Sequence, residues 1–171
     1  MLTARLRSRF GLLLIIFLLT ACTEPPPASV LNLADVTLTN FVGEQELLVA
    51  GRPRIRIVNF WATWCAPCRE EMPSLQALSA MLDAGHYEVI GVSVDRDLNL
   101  VREYMLKYGI SFRQLSDPGM ALAASRLGVE AYPETFLLDE QGVVVNRVVG
   151  SQRWTDPAFI ESFLAPARSD D

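Results

Sequence analysis

Cys65 and Cys68 stand two residues apart in the run Trp61-Ala62-Thr63-Trp64-Cys65-Ala66-Pro67-Cys68. Two thiols at that spacing either ligate a metal or cycle between dithiol and disulfide. A tetrahedral zinc site wants four ligands, and the chain holds only three cysteines and one histidine, His86. Context separates the two chemistries. Residues 55–60 form an apolar, β-branched run, and after Cys65 the apolar residues take up helical spacing. A thiol at a helix N-terminus meets free backbone N–H groups and the positive end of the helix dipole, which stabilise its thiolate. A second thiol one turn on is placed to attack a mixed disulfide formed by the first. Cys65 is therefore the expected nucleophile and Cys68 the resolving thiol. Ala66 and Pro67 carry no charge, so the helix terminus must do the activating.

The elements that position this pair can be read in order. Residues 36–41 and 46–49 form two short strands around Gly43, an N-terminal hairpin. Residues 55–61 form a central strand running into the cysteine loop. A helix follows to about residue 84, with Met72, Leu75, Leu78 and Leu82 on one face and Pro73 inside it as a kink. Residues 87–94 read as a buried parallel strand and 95–108 as a helix capped by Gly109. A short strand at 112–115 and a short helix at 120–127 come next. The run at residues 129–139 leads through a turn at Glu140-Gln141-Gly142 into 143–149 as a closing hairpin, and 156–164 form a final helix. Strands alternating with helices and ending in a hairpin indicate α/β layers.

The first 29 residues are of another kind. Arg5, Arg7 and Arg9 precede a continuous apolar run over residues 10–19, the length of a signal-peptide core and short for a bilayer span. Leu19-Thr20-Ala21-Cys22 resembles the lipobox of bacterial lipoproteins, which implies cleavage before Cys22 and lipidation of its sulfur. The alternative is an uncleaved anchor. Residues 1–21 are thus a signal peptide and 22–29 a lipidated, proline-rich tether. Its three prolines favour an extended polyproline spacer. Residues 30–165 form the folded domain and 166–171 a loose tail. The formal charge of −5 becomes −8 once the three leader arginines are removed, and an acidic protein without a basic stripe is no nucleic-acid binder.

Two distant segments share one resemblance. Residues 61–68, with Arg69-Glu70-Glu71-Met72-Pro73 after them, resemble the active loop of thioredoxin-like proteins. Residues 128–142, with Ala131-Tyr132-Pro133-Glu134-Thr135 at their centre, resemble the cis-proline region of the TlpA/ResA/DsbE-like subgroup. The likeness covers residues 30–164. It implies a thioredoxin-like central mixed sheet flanked by helices, with an added N-terminal hairpin and an inserted strand–helix unit at residues 87–108. It implies that Pro133 is cis and faces the dithiol, with Trp64, Tyr132 and Pro133 forming the surface that meets a client.

There are departures from the pattern. Asn59 stands where thioredoxins have a buried Asp serving the second cysteine. Glu134 matches the glutamate of the DsbE-like pattern and is the candidate to exchange a proton with Cys68. Ala131 replaces a frequent Gly, and Tyr132 is bulkier than the usual residue before the proline, so client choice is affected. Trp61 is expected in the core. Glu70 and Glu71 are expected on a solvated face, and His86 in a surface turn.

The resemblance implies a thiol–disulfide oxidoreductase that reduces disulfides of envelope proteins, apocytochrome c among them. It would be recharged by a membrane reductase of the DsbD or CcdA type, with no nucleotide or metal cofactor called for. The location implied is the bacterial envelope, facing the periplasm on a lipid anchor. Thr23 in place of Asp after the cysteine points to the outer membrane in a Gram-negative cell. Two other classes remain: a peroxiredoxin-like peroxide reductase, which would use one peroxidatic cysteine, and a non-enzymatic copper-binding assembly factor holding the metal on two thiolates.

Overall fold

The computed structural model describes residues 30–52 and 54–168. The leader, Cys22 and the proline tether lie outside the described residues. Among those described, no helix is long and apolar enough to cross a membrane.

The hairpin forms as β1 (Thr37–Asn40) and β2 (Gln45–Leu47). β3 (Ile55–Trp61) is buried along its whole length, as a β-branched and aromatic run covered on both faces should be. It leads into α1 (Ala66–Met81), then β4 (Tyr87–Ser93), α2 (Leu98–Tyr108), β5 (Arg113–Ser116) and α3 (Ala121–Ser125). β6 (Glu134–Leu138), β7 (Val144–Val149) and α4 (Pro157–Leu164) complete the chain. The strands form one mixed sheet in the order β2-β1-β5-β4-β3-β6-β7. β3, β4 and β5 are parallel, while β6 and β7 close the sheet antiparallel.

Parallel neighbours need crossovers, which α1 and α2 supply. The two pack beside each other: the Tyr104 hydroxyl donates to the Arg69 carbonyl at 3.1 Å, and Gln76 Oε1 accepts the Ser111 N–H at 2.7 Å. Side chains alternate across a strand, and this decides what each face of the sheet carries. Asn59 pairs with Thr135 and points to the α1 face, whereas Phe60 pairs with Glu134 and points away from it. On that opposite face Phe60 meets Phe136 edge to face at 5.7 Å.

Two glycines are required by their surroundings. Gly142 turns the β6–β7 hairpin at φ +84°, and a Cβ there would lie 3.0 Å from the Ala34 nitrogen. Gly91 in β4 lies under Gln114, whose Oε1 would be 2.2 Å from an added Cβ. Gln114 in turn accepts the Trp61 indole N–H at 3.0 Å. The absent side chain thus lets Gln114 hold Trp61 at the end of the central strand.

α1 carries Pro73 inside it, as the sequence places it. One difference from the sequence reading appears. The tail expected to be loose from residue 166 is instead a 3-10 turn over Ala165–Arg168, and the Arg168 Nε donates to the Tyr87 hydroxyl at 2.7 Å. Residues 169–171 lie outside the described residues.

Candidate active site

The cysteines lie where β3 gives way to α1. Cys65 is the N-cap residue, and its Sγ accepts the Cys68 N–H at 3.3 Å, the contact an N-cap serine oxygen would make. Pro67 sits in the first turn, where a missing N–H costs nothing. The two sulfurs form a disulfide, with Cα atoms 5.3 Å apart. Cys65 retains 6% exposure and Cys68 none, so only the first can meet an incoming disulfide without rearrangement.

The loop before Cys65 is tied from both sides. The Asp95 carboxylate, buried at the end of β4, accepts the Thr63 N–H at 2.9 Å and the Thr63 hydroxyl at 2.6 Å. Arg69 Nη1 donates to the Thr63 carbonyl at 2.7 Å. Ser93 donates to Asp95 as well, at 2.8 Å. Nothing in the sequence around Asp95 singles it out beyond its place directly after a buried strand.

The Tyr132–Pro133 peptide bond is cis. It brings the Tyr132 carbonyl oxygen to 3.5 Å from Cys65 Sγ. A disulfide sulfur has no proton to give, so this is a contact; a free Cys65 thiol could donate there. Trp64 is 60% exposed and meets the Tyr132 ring edge to face at 5.9 Å. Trp61 is fully buried against Tyr104. The Tyr132 hydroxyl is buried without a partner, and burial pushes its pKa up, helped by the nearby charges of Asp117 and Glu134.

One of the two acids early in α1 departs from the sequence reading. Glu70 is exposed as expected, but Glu71 is not a solvated residue: it is 2% exposed. Its Oε1 accepts Asn59 Nδ2 at 2.7 Å, and its Oε2 accepts the Gln152 N–H and the Trp154 indole N–H, both at 3.0 Å. Burial raises its pKa above the ordinary value, and the three hydrogen bonds oppose that rise without cancelling it. The signal was present in the helix phase. Cys68, Met72, Leu75 and Leu78 are buried on α1, and Glu71, three residues after Cys68 and four before Leu75, falls on that stripe. Trp154 and Gln152, some eighty residues away, offered no such signal.

Glu134 is also buried, at 1% exposure, but on the opposite face of the sheet. Arg147 Nε pairs with its Oε1, while Oε2 has no partner. Arg147 also donates to the Gly128 carbonyl at 3.2 Å and lies over the Phe136 ring. Gly128, Glu130, Ala131, Glu134, Arg147 and Val149 line a cavity of about 390 Å3 beside the cis proline. His86 is an exposed turn residue with its Nδ1 at 2.7 Å from Asp83 Oδ2. Among the described residues no group of three or more His, Cys, Asp or Glu could hold a metal.

The comparisons agree with this geometry. The chain matches the AhpC/TSA family model over residues 32–147, from before the first hairpin into β7. It is 34% identical over 95 residues to the thiol-disulfide oxidoreductase ResA of Bacillus thuringiensis, a match covering 56% of this chain and 54% of that protein. The chain thus spans about half the length of such curated relatives. Over 120 residues it is 34% identical to the thioredoxin-like protein YneN of Bacillus subtilis, covering 68% of this chain and 69% of that one. A solved structure from Chlorobium tepidum, assigned as a thiol:disulfide interchange protein DsbE, superposes with a TM-score of 0.70 at 25% identity, covering 81% of this chain and 96% of that one. With a helix-capping cysteine pair, a cis proline beside it and a mixed sheet behind both, the chain belongs to the AhpC/TSA family and has a thioredoxin-like fold.

Proposed function

We propose that this protein is a thiol–disulfide oxidoreductase that reduces disulfides in other proteins. The observation that carries the reading is the Cys65–Cys68 disulfide at the start of α1, with the Tyr132 carbonyl oxygen 3.5 Å from the outer sulfur. In the reduced state the Cys65 thiolate attacks one sulfur of a client disulfide. The client S–S bond breaks, a mixed disulfide forms, and the client's other sulfur leaves as a thiolate that takes up a proton. Cys68 then loses its proton and attacks Cys65 Sγ. The second client sulfur leaves and is protonated in turn, so two electrons pass from enzyme to client, and of the client's two protons one balances that lost by Cys68 and the other comes from solvent. A nearby carboxylate can take the Cys68 proton. We assign this to Glu71, which lies one turn on from Cys68 on the same face of α1. Glu134 is given a different part: its pairing with Arg147 fixes the 127–128 segment beside the cis proline. Trp64, Tyr132 and Pro133 form the client-facing surface.

The resemblance supports envelope proteins as clients, apocytochrome c among them, and a DsbD- or CcdA-type membrane reductase as electron donor. The lipobox likeness of residues 19–22 supports a lipid anchor at Cys22 in the envelope. The bonded pair of sulfurs favours this over a peroxide reductase, which would work from one cysteine, and over a copper carrier.

A Cys68→Ala trap tests the reading, because it removes the resolving thiol and leaves clients covalently caught on Cys65. Recovery of disulfide-linked clients from the native host supports the mechanism. An empty trap under non-reducing conditions, with the variant folded, contradicts it. The anchor has its own test: Cys22→Ser should abolish acyl labelling, and unchanged labelling would refute the lipobox reading.

A further inference from the structure

Asn59 holds its place by a pattern of bonds that its role as a simple donor does not explain. Its Nδ2 spends both hydrogens, one on Glu71 Oε1 at 2.7 Å and one on Thr135 Oγ1 at 2.9 Å. Its Oδ1 is buried and has no partner. Glu71 Oε2 is already taken by two N–H donors, neither of which can ever accept a proton. A proton arriving on Glu71 can therefore settle only on Oε1, which accepts from Asn59 on one lone pair and has the other open. On the lone pair that meets Asn59, that proton would point at an N–H in the arrangement seen. Turned over by half a rotation about its last torsion, the same amide presents Oδ1 at that place, with two lone pairs where there were two hydrogens. It then accepts from the Glu71 Oε1–H and from the Thr135 hydroxyl, which can donate as readily as accept. One amide atom is unpartnered in either orientation, so the turn exchanges one orphan for another.

We propose that Asn59 is a two-state positioning residue: it donates to Glu71 Oε1 when the carboxyl is charged, and turns over to accept from Oε1–H when the carboxyl is protonated. A proton held on the Oε1 lone pair that meets Asn59 then faces an acceptor rather than an N–H. An Asp at this position would set a second carboxyl group against the first, and the two would share one proton. The inference rests on the reading of Glu71 as the acid that exchanges a proton with Cys68. The groups facing Glu71 from the packed elements are Asn59 on β3, Trp154 and the Gln152 N–H before α4, and Cys68 on its own helix. Asn59, Trp154 and the Gln152 amide do not titrate, and Cys68 is held in the disulfide.

Nuclear magnetic resonance on the oxidised full chain tests it, with the Glu71 carboxyl carbon and the Asn59 side-chain amide followed together across pH. The Asn59 Nδ2 protons should lose their hydrogen-bonded shift at the same midpoint as the Glu71 carbon titrates. In Glu71→Gln, whose amide mimics the protonated acid, they should sit at the acid-state position at every pH. Asn59 signals that stay fixed while Glu71 titrates would overturn the two-state role and leave Glu71 standing. A Glu71 carbon that does not titrate between about pH 4 and pH 10, a span reaching from ordinary carboxyl values to the most raised buried ones, would overturn both.

Discussion

Glu71 is a carboxyl group enclosed by protein and offered hydrogen bonds from three N–H donors. Desolvation favours its neutral form and the donors favour its charged form; burial is the larger effect, and the pKa rises. The sign for stability follows from that direction. The folded protein holds this proton more tightly than the unfolded chain does, so the contribution is complete below the ordinary carboxyl value of 4.5 and is lost as pH climbs through the raised folded-state value. The melting temperature of the wild-type protein should therefore carry a downward step over that window that is missing from Glu71→Gln. Parallel pH profiles for the two proteins would show that Glu71 is not the buried proton site.

At the scale of elements, the cysteine loop is placed by the ends of the strands around it. β3 delivers it, and the Val94 N–H bonds the Trp61 carbonyl at 3.0 Å. Asp95 and Arg69 grip the two sides of Thr63. Gln114 on β5 holds Trp61 through the gap left by Gly91. Gly91→Ala should close that gap. Its Cβ would meet Gln114 at 2.2 Å, and overpacking of this kind costs about 1–3 kcal/mol. Urea denaturation should read that loss, and adding Gln114→Ala should recover part of it by removing the atoms struck. An unchanged midpoint in Gly91→Ala would mean that Gln114 moves freely and does not hold Trp61.

Across the whole molecule, what the sequence shows depends on the range of the interaction. The strands and helices were legible because their apolar spacing is local: β3 reads as Ile55-Arg56-Ile57-Val58-Asn59-Phe60-Trp61 and is an interior strand of the sheet, buried along its whole length. The cysteine pair was legible because both sulfurs lie within one turn. The acid was only half legible. Glu70 and Glu71 are chemically the same, and the phase of α1 alone decides that one faces water and the other Trp154. Arg147 and Trp154 could not be assigned from sequence, since their partners come together only when β6, β7 and α4 pack. The central claim is that the sheet and α1 hold two sulfurs as a single reversible two-electron couple. Its most direct measurement is a titration of the full chain in glutathione buffers of graded potential, counting alkylated Cys65 and Cys68 by mass. The account predicts that both label together in one transition, with about 30 mV per tenfold change in the ratio of reduced to oxidised protein, and that Cys65→Ser abolishes it. Labelling independent of the buffer potential, or the two cysteines titrating apart, would contradict it.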